Sequence, residues 1–443
     1  MTVAYEDPDH AKQLVVDAVG RALGVGASQA EANLGSGEGL SVTVRDGSTD
    51  LLEYQRDKSL AITVYLGQSK GSATTSDLSA AALDETVDAA HRIAKLAEPD
   101  PYAGLAEEAS LAGEVLDLEL DHPWAITGEE AVELATRCEN AARDLDGIKQ
   151  GDGTSVNHYR GTHAYANSNG FAGAYRGTQH SLACLMIAES TNGMQKGYWY
   201  TSARKPGDLE VAEEVGRTAA ERTIARLDAV KLKTGKLPVL YEAPVARSLV
   251  GHLVSAISGG AQYRKASFLL DALGEKVFPA SFDLIEQPHL PAALGSAPFD
   301  NDGVATRNKT VIDQGMLSTY LLGVYAARRL NRETTGNAGG PRNLIVAPGR
   351  YHSQDLIQQL NEGLLVTDLM GFGVNGVTGD YSRGVSGFYI ENGEIQYPVE
   401  EITIAGNLKE MFLNIEAVSS DIDVRGNVHT GAILIGEMAI AGE

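Results

Sequence analysis

The dipeptide Asn392-Gly393 sits between "SGFYIE" and "EIQYPVEEITIAG", two runs in which apolar and polar residues alternate. A two-residue turn of this kind needs positive φ at both positions, which asparagine and glycine tolerate, and it sends the chain back antiparallel to itself. Similar turn signals stand at Asp313-Gln314-Gly315, between "RNKTVI" and "MLSTYLLG", and at Asn169-Gly170, ahead of "FAGAYRGTQHSLACLMIAE". Parallel strands would instead need crossover connections of a dozen residues or more. The expected fold class is therefore α+β: predominantly antiparallel sheets with packed helices, built as N-terminal helix/sheet modules plus a β-rich C-terminal domain.

At 443 residues the chain exceeds one ordinary core. "HAKQLVVDAVGRAL" has helical apolar spacing, "LSVTVRDG", "TDLLEYQRD" and "SLAITVYLGQ" alternate as strands, and "SAAALDETVDAAHRIAKLA" is again helical. A second round begins at Thr127, whose Glu130 three positions later makes a capping box, and a helix from about Leu209 to Leu227 closes it. Residues 1–232 thus read as an N-terminal domain of two loosely repeated modules, about 1–115 and 116–232. The basic, turn-containing "DAVKLKTGKLP" reads as a linker, with the main boundary near Lys233 and a C-terminal domain over 233–443.

The charge balance, 36 basic against 59 acidic residues, repels a phosphate backbone, so direct nucleic-acid binding is not expected. The same excess acid either keeps the protein in solution or lets it act as an acidic binding protein towards a DNA topoisomerase. No run of about 18 apolar residues occurs, and "MTVAYEDPDHAKQLVVDAVG" is acidic where a signal peptide would be basic; the expectation is a cytoplasmic protein away from membranes. Cys138 and Cys184 lie far apart in sequence, which fits a reducing compartment.

"GFGVNG" (371–376) matches a dinucleotide fingerprint, but "VTGDYSRGVSGF" follows it where a helix is required, so the match is rejected. His158, His163, His180 and Cys184 follow none of the usual metal-ligand spacings; half-exposed sheet histidines and a small core cysteine are the simpler reading, with an unrecognised metal site as the alternative. "GVSG" around Ser386 lacks the strand-to-helix elbow of a serine nucleophile. "TGDYSRG" carries Asp380, Tyr381, Ser382 and Arg383 together, either lining a site or bonding to its own backbone as a loop. "ARSLVGHLVSAISGG" (246–260) reads as a helix with one histidine, His252.

Over nearly its whole length the chain resembles the TldD/TldE (PmbA) family, the paired proteins called modulators of DNA gyrase, and in particular its TldE, or PmbA, branch. The resemblance rests on "LAITVYLGQSKGSATTSDLS", "GHLVSAISGGAQYRKASFLLDALG", "TGNAGGPRN", "GVTGDYSRGVSGFYIENGEIQYPVEEITIAGNL" and "GEMAIAG". It implies that a TldD-type partner carries His-Glu-x-x-x-His on a helix and a cysteine near its C-terminus, which together hold zinc and activate water. Aligned on its closing histidine, this chain offers Arg247, Ser248 and His252, and no cysteine follows Cys184. The resemblance therefore implies no catalytic residue, cofactor or metal ligand in this chain, and zinc in the partner subunit. It further implies a heterodimer with a TldD-like metallopeptidase chain, a homodimer being the alternative when alone, acting on unfolded peptide substrates in peptide-antibiotic maturation and antitoxin turnover. The residues expected to face peptide or partner are Arg247 and His252, Tyr263, Arg264 and Lys265, and Asp380, Tyr381, Ser382 and Arg383.

Overall fold

The computed structural model describes residues 7–442; the first six residues of the acidic N-terminal stretch lie outside them. Helix α1 (Pro8–Gly24) is capped by the Asp7 carboxylate and followed by β1 (Gln29–Arg45), β2 (Ser48–Leu66), β3 (Ser69–Thr75) and α2 (Ala80–Leu96). The order repeats as α3 (Gly128–Arg143), β4 (Ile148–Asn167), β5 (Ala172–Ser190), β6 (Gly193–Ala203) and α4 (Ala212–Ile224). Thr127 and Glu130 form the capping box at α3, satisfying amides that the first turn leaves without partners. The two rounds join by antiparallel pairing of β1 with β4, giving one sheet in the order β3-β2-β1-β4-β5-β6.

Strand parity explains the layering. The even-numbered Ala32 and Leu34 on β1 meet Ile62 and Ala164 under α1 and α2, while Leu40, Val42 and Val156 meet Cys138 and Val215 under α3 and α4. All four helices therefore cover one face. From the odd-numbered face Tyr165 packs on Phe171 and Phe299, which brings the C-terminal half against the sheet. Strands of 17 to 20 residues exceed the short runs read from sequence, because "TDLLEYQRD" and "SLAITVYLGQ" are one strand. Strand β6 has no counterpart among the alternating runs of the sequence.

The second half begins with β7 (Gly235–Tyr241), α5 (Ala243–Ile257) and α6 (Gly259–Tyr263). Short strands β8 (Leu284–Glu286), β9 (Lys309–Asp313) and β10 (Met316–Leu317) precede α7 (Val324–Arg329), β11 (Leu344–Val346) and α8 (Ser353–Gln359). The chain ends with β12 (Glu362–Met370), β13 (Asp380–Glu391), β14 (Glu394–Asn407), α9 (Leu408–Leu413), β15 (Ile415–Val418), β16 (Val428–His429) and β17 (Ile433–Ala441). The order β14-β13-β12-β7-β17-β15, with β17 also pairing β14, closes five strands into a ring around the largest core. Asn392 and Gly393 make the β13–β14 turn at φ 54° and 78°, both positive as the turn requires.

Two expectations change. Asp380 to Arg383 open strand β13 and are not a loop. His180 is fully buried, not half-exposed. The sheets are predominantly antiparallel as expected, with two parallel pairings, β7 with β12 and β11 with β16. Among the described residues no helix is long and apolar enough to cross a membrane.

Candidate functional site

Helix α5 buries Ala246, Leu249, Val250, Leu253, Ala256 and Ile257, a stripe of three- and four-residue steps. Arg247 and His252 flank that stripe, and five positions on a regular helix rotate one from the other by roughly 140°. They consequently serve different neighbourhoods.

Arg247 Nη2 donates to the Tyr200 hydroxyl at 2.6 Å and to Asp423 Oδ2 at 3.0 Å. Arg425 donates to the same carboxylate through Nε and Nη2, at 3.0 and 2.9 Å, and to the Tyr200 carbonyl through Nη1. Its guanidinium lies 4.0 Å from the centre of the Trp199 ring. Burial pushes the Asp423 carboxyl up, but the Arg425 hydrogen bonds and the Arg247 charge outweigh it and hold it below the ordinary range. A carboxylate with 6% side-chain exposure is tolerable only when so compensated. The cluster ties α5 to β6 of the N-terminal sheet and to the segment 421–425. Asp423, Arg425, Trp199 and Tyr200 are absent from the sequence reading; the alternating charges of "DIDVRG" were the available signal.

His252 faces the other way. Its ring stands edge-on to Tyr381 at 5.9 Å, and its Nε2 is buried with no hydrogen-bond partner. Burial, then the charge of Arg383, lowers its pKa, so the imidazole is neutral near pH 7. A lone imidazole nitrogen is one metal donor, whereas zinc sites take three or four. The other groups contribute none: Arg247 is a cation committed to Asp423, the Ser248 hydroxyl donates to the Val245 carbonyl at 2.7 Å, and Arg383 repels a divalent ion. These residues do not fit the zinc that the family resemblance brings to mind.

The structure thus gathers His252, Tyr381 and Arg383. Tyr381 is core, at 1% exposure, with its hydroxyl 3.4 Å from that of Tyr241. Asp380 and Ser382 are exposed, the Asp380 carboxylate accepting from Thr378 and Asn407. Tyr263, Arg264 and Lys265 form a separate cluster at the end of α6, where Tyr263 meets Tyr325 edge-on and carries Arg264 and Arg329 over its ring. His158 and His180 meet across β4 and β5 with their Nδ1 atoms 3.1 Å apart, but His163 lies tilted against the Tyr175 and Phe299 rings instead. Among the described residues no three His, Cys, Asp or Glu side chains are grouped to hold a metal ion.

Models of the three successive PmbA/TldA metallopeptidase domains match residues 30–94 (domain 1), 121–227 (central domain) and 234–442 (C-terminal domain). Metalloprotease PmbA of Escherichia coli O157:H7 is 44% identical over 436 residues, 98% of this chain and 97% of the relative. The PmbA homolog of Haemophilus influenzae is also 44% identical, over 97% and 96% of the two chains. A Bacteroides thetaiotaomicron crystal structure of a protein named for modulation of DNA gyrase superposes with TM-score 0.93 at 27% identity, covering 98% and 99% of the chains. TldE of Thermococcus kodakarensis shares the fold, with TM-score 0.84 at 20% identity over 98% and 100%. With family models spanning most of its length and near-full-length relatives at this identity, the chain belongs to the PmbA/TldA metallopeptidase family.

Proposed function

We propose that this chain is the non-catalytic subunit of a cytoplasmic two-chain zinc metallopeptidase, paired with a TldD-like chain that supplies the metal and cleaves unfolded or flexible peptides. The observation that carries the reading is the use made of Arg247. At the first ligand position of the aligned helix stands a cation whose guanidinium is spent on Asp423 and Tyr200. The metalloprotease names of the relatives support the peptidase half of the reading. Related folds in the two chains would favour a pseudo-symmetric pair. In that pair this chain completes the substrate enclosure, and its exposed Arg264, Lys265, Asp380 and Ser382 are the residues to face peptide or partner.

The test measures bound zinc and cleavage of an unstructured peptide for the chain alone and for the chain with a TldD-like partner. Zinc and cleavage only in the pair are expected. Stoichiometric zinc with cleavage by the isolated chain would overturn the proposal.

A further inference from the structure

A cavity of about 300 Å³ lies where α4 and β6 meet β12 and β13. Tyr198, Leu365 and Phe388 give it apolar walls, and two ion pairs border it. They are not equivalent. Arg222 and Glu242 are joined by two hydrogen bonds of 2.6 Å, and Arg222 is further held over the Trp199 ring, so that pair is saturated. Arg226 and Asp368 meet only through one long contact of 3.5 Å. The Arg226 side chain is 17% exposed, and a guanidinium has five donors, most of which this single contact leaves free to take a ligand.

The backbone puts Asp368 there by an irregularity. The β12–β13 register shifts between Val366 and Asp368, leaving Thr367 without a ladder partner, and such a bulge re-aims the side chains beside it. Asp368 Oδ1 accepts from the Leu369 amide at 2.9 Å, which leaves Oδ2 for Arg226. One loosely joined cation and anion, side by side in an apolar-walled cavity between two sheets, match a molecule that carries both charges a few bonds apart.

We infer that this cavity binds a small zwitterion with an apolar side chain, a free α-amino acid or a dipeptide. Its carboxylate replaces Asp368 on Arg226, its ammonium takes Asp368, and its side chain lies against Leu365 and Phe388. The ligand exchanges one long ion pair for two charge-assisted sets of hydrogen bonds. The volume stands at the small end of ligand pockets, and sites of this kind favour the junctions between structural units. The inference concerns the isolated chain and stands apart from the subunit role proposed above.

Calorimetric titration of the full-length chain with L-leucine, L-phenylalanine and the dipeptide Leu-Gly tests it, with N-acetyl-leucine and leucine amide as capped probes. The expected result is saturable binding with Kd between about 0.1 and 10 mM, as a ligand of so few atoms allows. Each cap should weaken binding about tenfold or more, since each removes one charged partner. Arg226→Gln and Asp368→Asn should do the same. Ala225→Leu, at an exposed lining position, narrows the cavity while leaving both charged side chains in place and should weaken binding about tenfold or more with circular dichroism unchanged, so a failure to fold in the charge variants leaves the test intact. Absence of saturable heat for every free zwitterion up to about 50 mM with the native chain would overturn the inference, as would equal affinity for the capped probes.

Discussion

Asp423→Ala probes the Arg247–Asp423–Arg425 cluster most directly. Among the described residues Asp423 is the carboxylate that both guanidinium groups share, Arg425 reaching Glu210 only at 3.9 Å, and the side chains of Arg247 and Arg425 are themselves only 18% and 13% exposed. Removing the anion leaves two like charges near each other with little access to water, a perturbation that costs about 3–5 kcal/mol when a buried pair is broken from one side. With an unfolding entropy of about 2.1 cal/mol/K per residue, a cooperative unit of roughly 200 residues has ~0.4 kcal/mol/K, so a loss of about 4 kcal/mol lowers its Tm by about 10 °C. Asp423→Asn, isosteric and uncharged, should lose nearly as much, because charge and not volume is missing. Arg247→Met in the Asp423→Ala background should recover part of the loss, giving a coupling of about 1–3 kcal/mol in a double-mutant cycle. The exposed pair Lys236–Glu437 is the comparison, and Lys236→Ala should stay within about 0.5 kcal/mol. Differential scanning fluorimetry and urea titration read all of these. A shift under about 2 °C for Asp423→Ala, or strict additivity in the cycle, would refute the reasoning.

Other consequences can be measured on the same preparation. Burial, then neighbouring Asp302, pushes the Asp300 carboxyl up to about 6, so the folded state holds a proton that the unfolded state releases; stability from this group falls as pH rises from about 4 to about 6 and is flat above, by ~3 kcal/mol. The wild-type minus Asp300→Asn difference in urea-unfolding free energy should trace that fall, and a pH-independent difference would contradict it. His252 has the opposite sense: its lowered pKa means stability is lost as pH drops below the ordinary histidine range, and His252→Leu should remove that acid sensitivity while leaving stability at pH 7 equal or higher, since no hydrogen bond to Nε2 is broken. Peptide cleavage by the two-chain complex should survive His252→Leu; its loss would count against the proposed subunit role. A Cβ at Gly216 would overlap the Cys138 carbonyl where α4 crosses α3, so Gly216→Ala should cost about 1–3 kcal/mol by thermal melt.

Much of the fold was legible because its signals are local. Asn392-Gly393 and the Thr127–Glu130 box specify a turn and a helix start through their own backbone chemistry, and the structure places both as read. Strand β6 was not legible because "GMQKGYWYTSA" has little apolar alternation; Tyr198 and Trp199 are partly exposed and the strand is held by its pairing to β5. Asp380 to Arg383 read either as a site lining or as a loop, and not as a strand, for a related reason. Glycines and polar residues mark turns on average, yet here pairing with 404–407 of β14 holds 380–383 extended, a tertiary effect that no window of sequence contains. For the site, Arg247 and His252 were visible as residue types on a helix. Their partners were not, since Tyr200 and Asp423 stand 47 and 176 positions away from Arg247.

Those long separations in sequence are bridged by the contacts that hold the helix in place. In the arrangement that the family resemblance implies for a catalytic chain, zinc would link helix residues to a ligand near the C-terminus, and the same link would fix the helix in place. Here Arg247 and Asp423 join α5 to the segment 421–425 by an ion pair, and Tyr200 adds β6 as a third anchor. On the proposed reading, electrostatic cross-linking takes over the mechanical part of the metal's task while the chemical part is left to the partner. The exchange is coherent only if the two cannot coexist: a divalent ion beside His252 would have to tolerate the charge of Arg383, and Arg247 could release a ligand position only by leaving buried Asp423 to Arg425 alone. A chain with His-Glu-x-x-x-His grafted at 247–252 should therefore gain little zinc affinity and lose stability, and changing Asp423 and Arg383 with it should relieve the charge conflict while tight zinc still awaits a third ligand. Tight zinc binding by the graft with Asp423 and Arg383 intact would show that the ion-pair cluster does not exclude the metal.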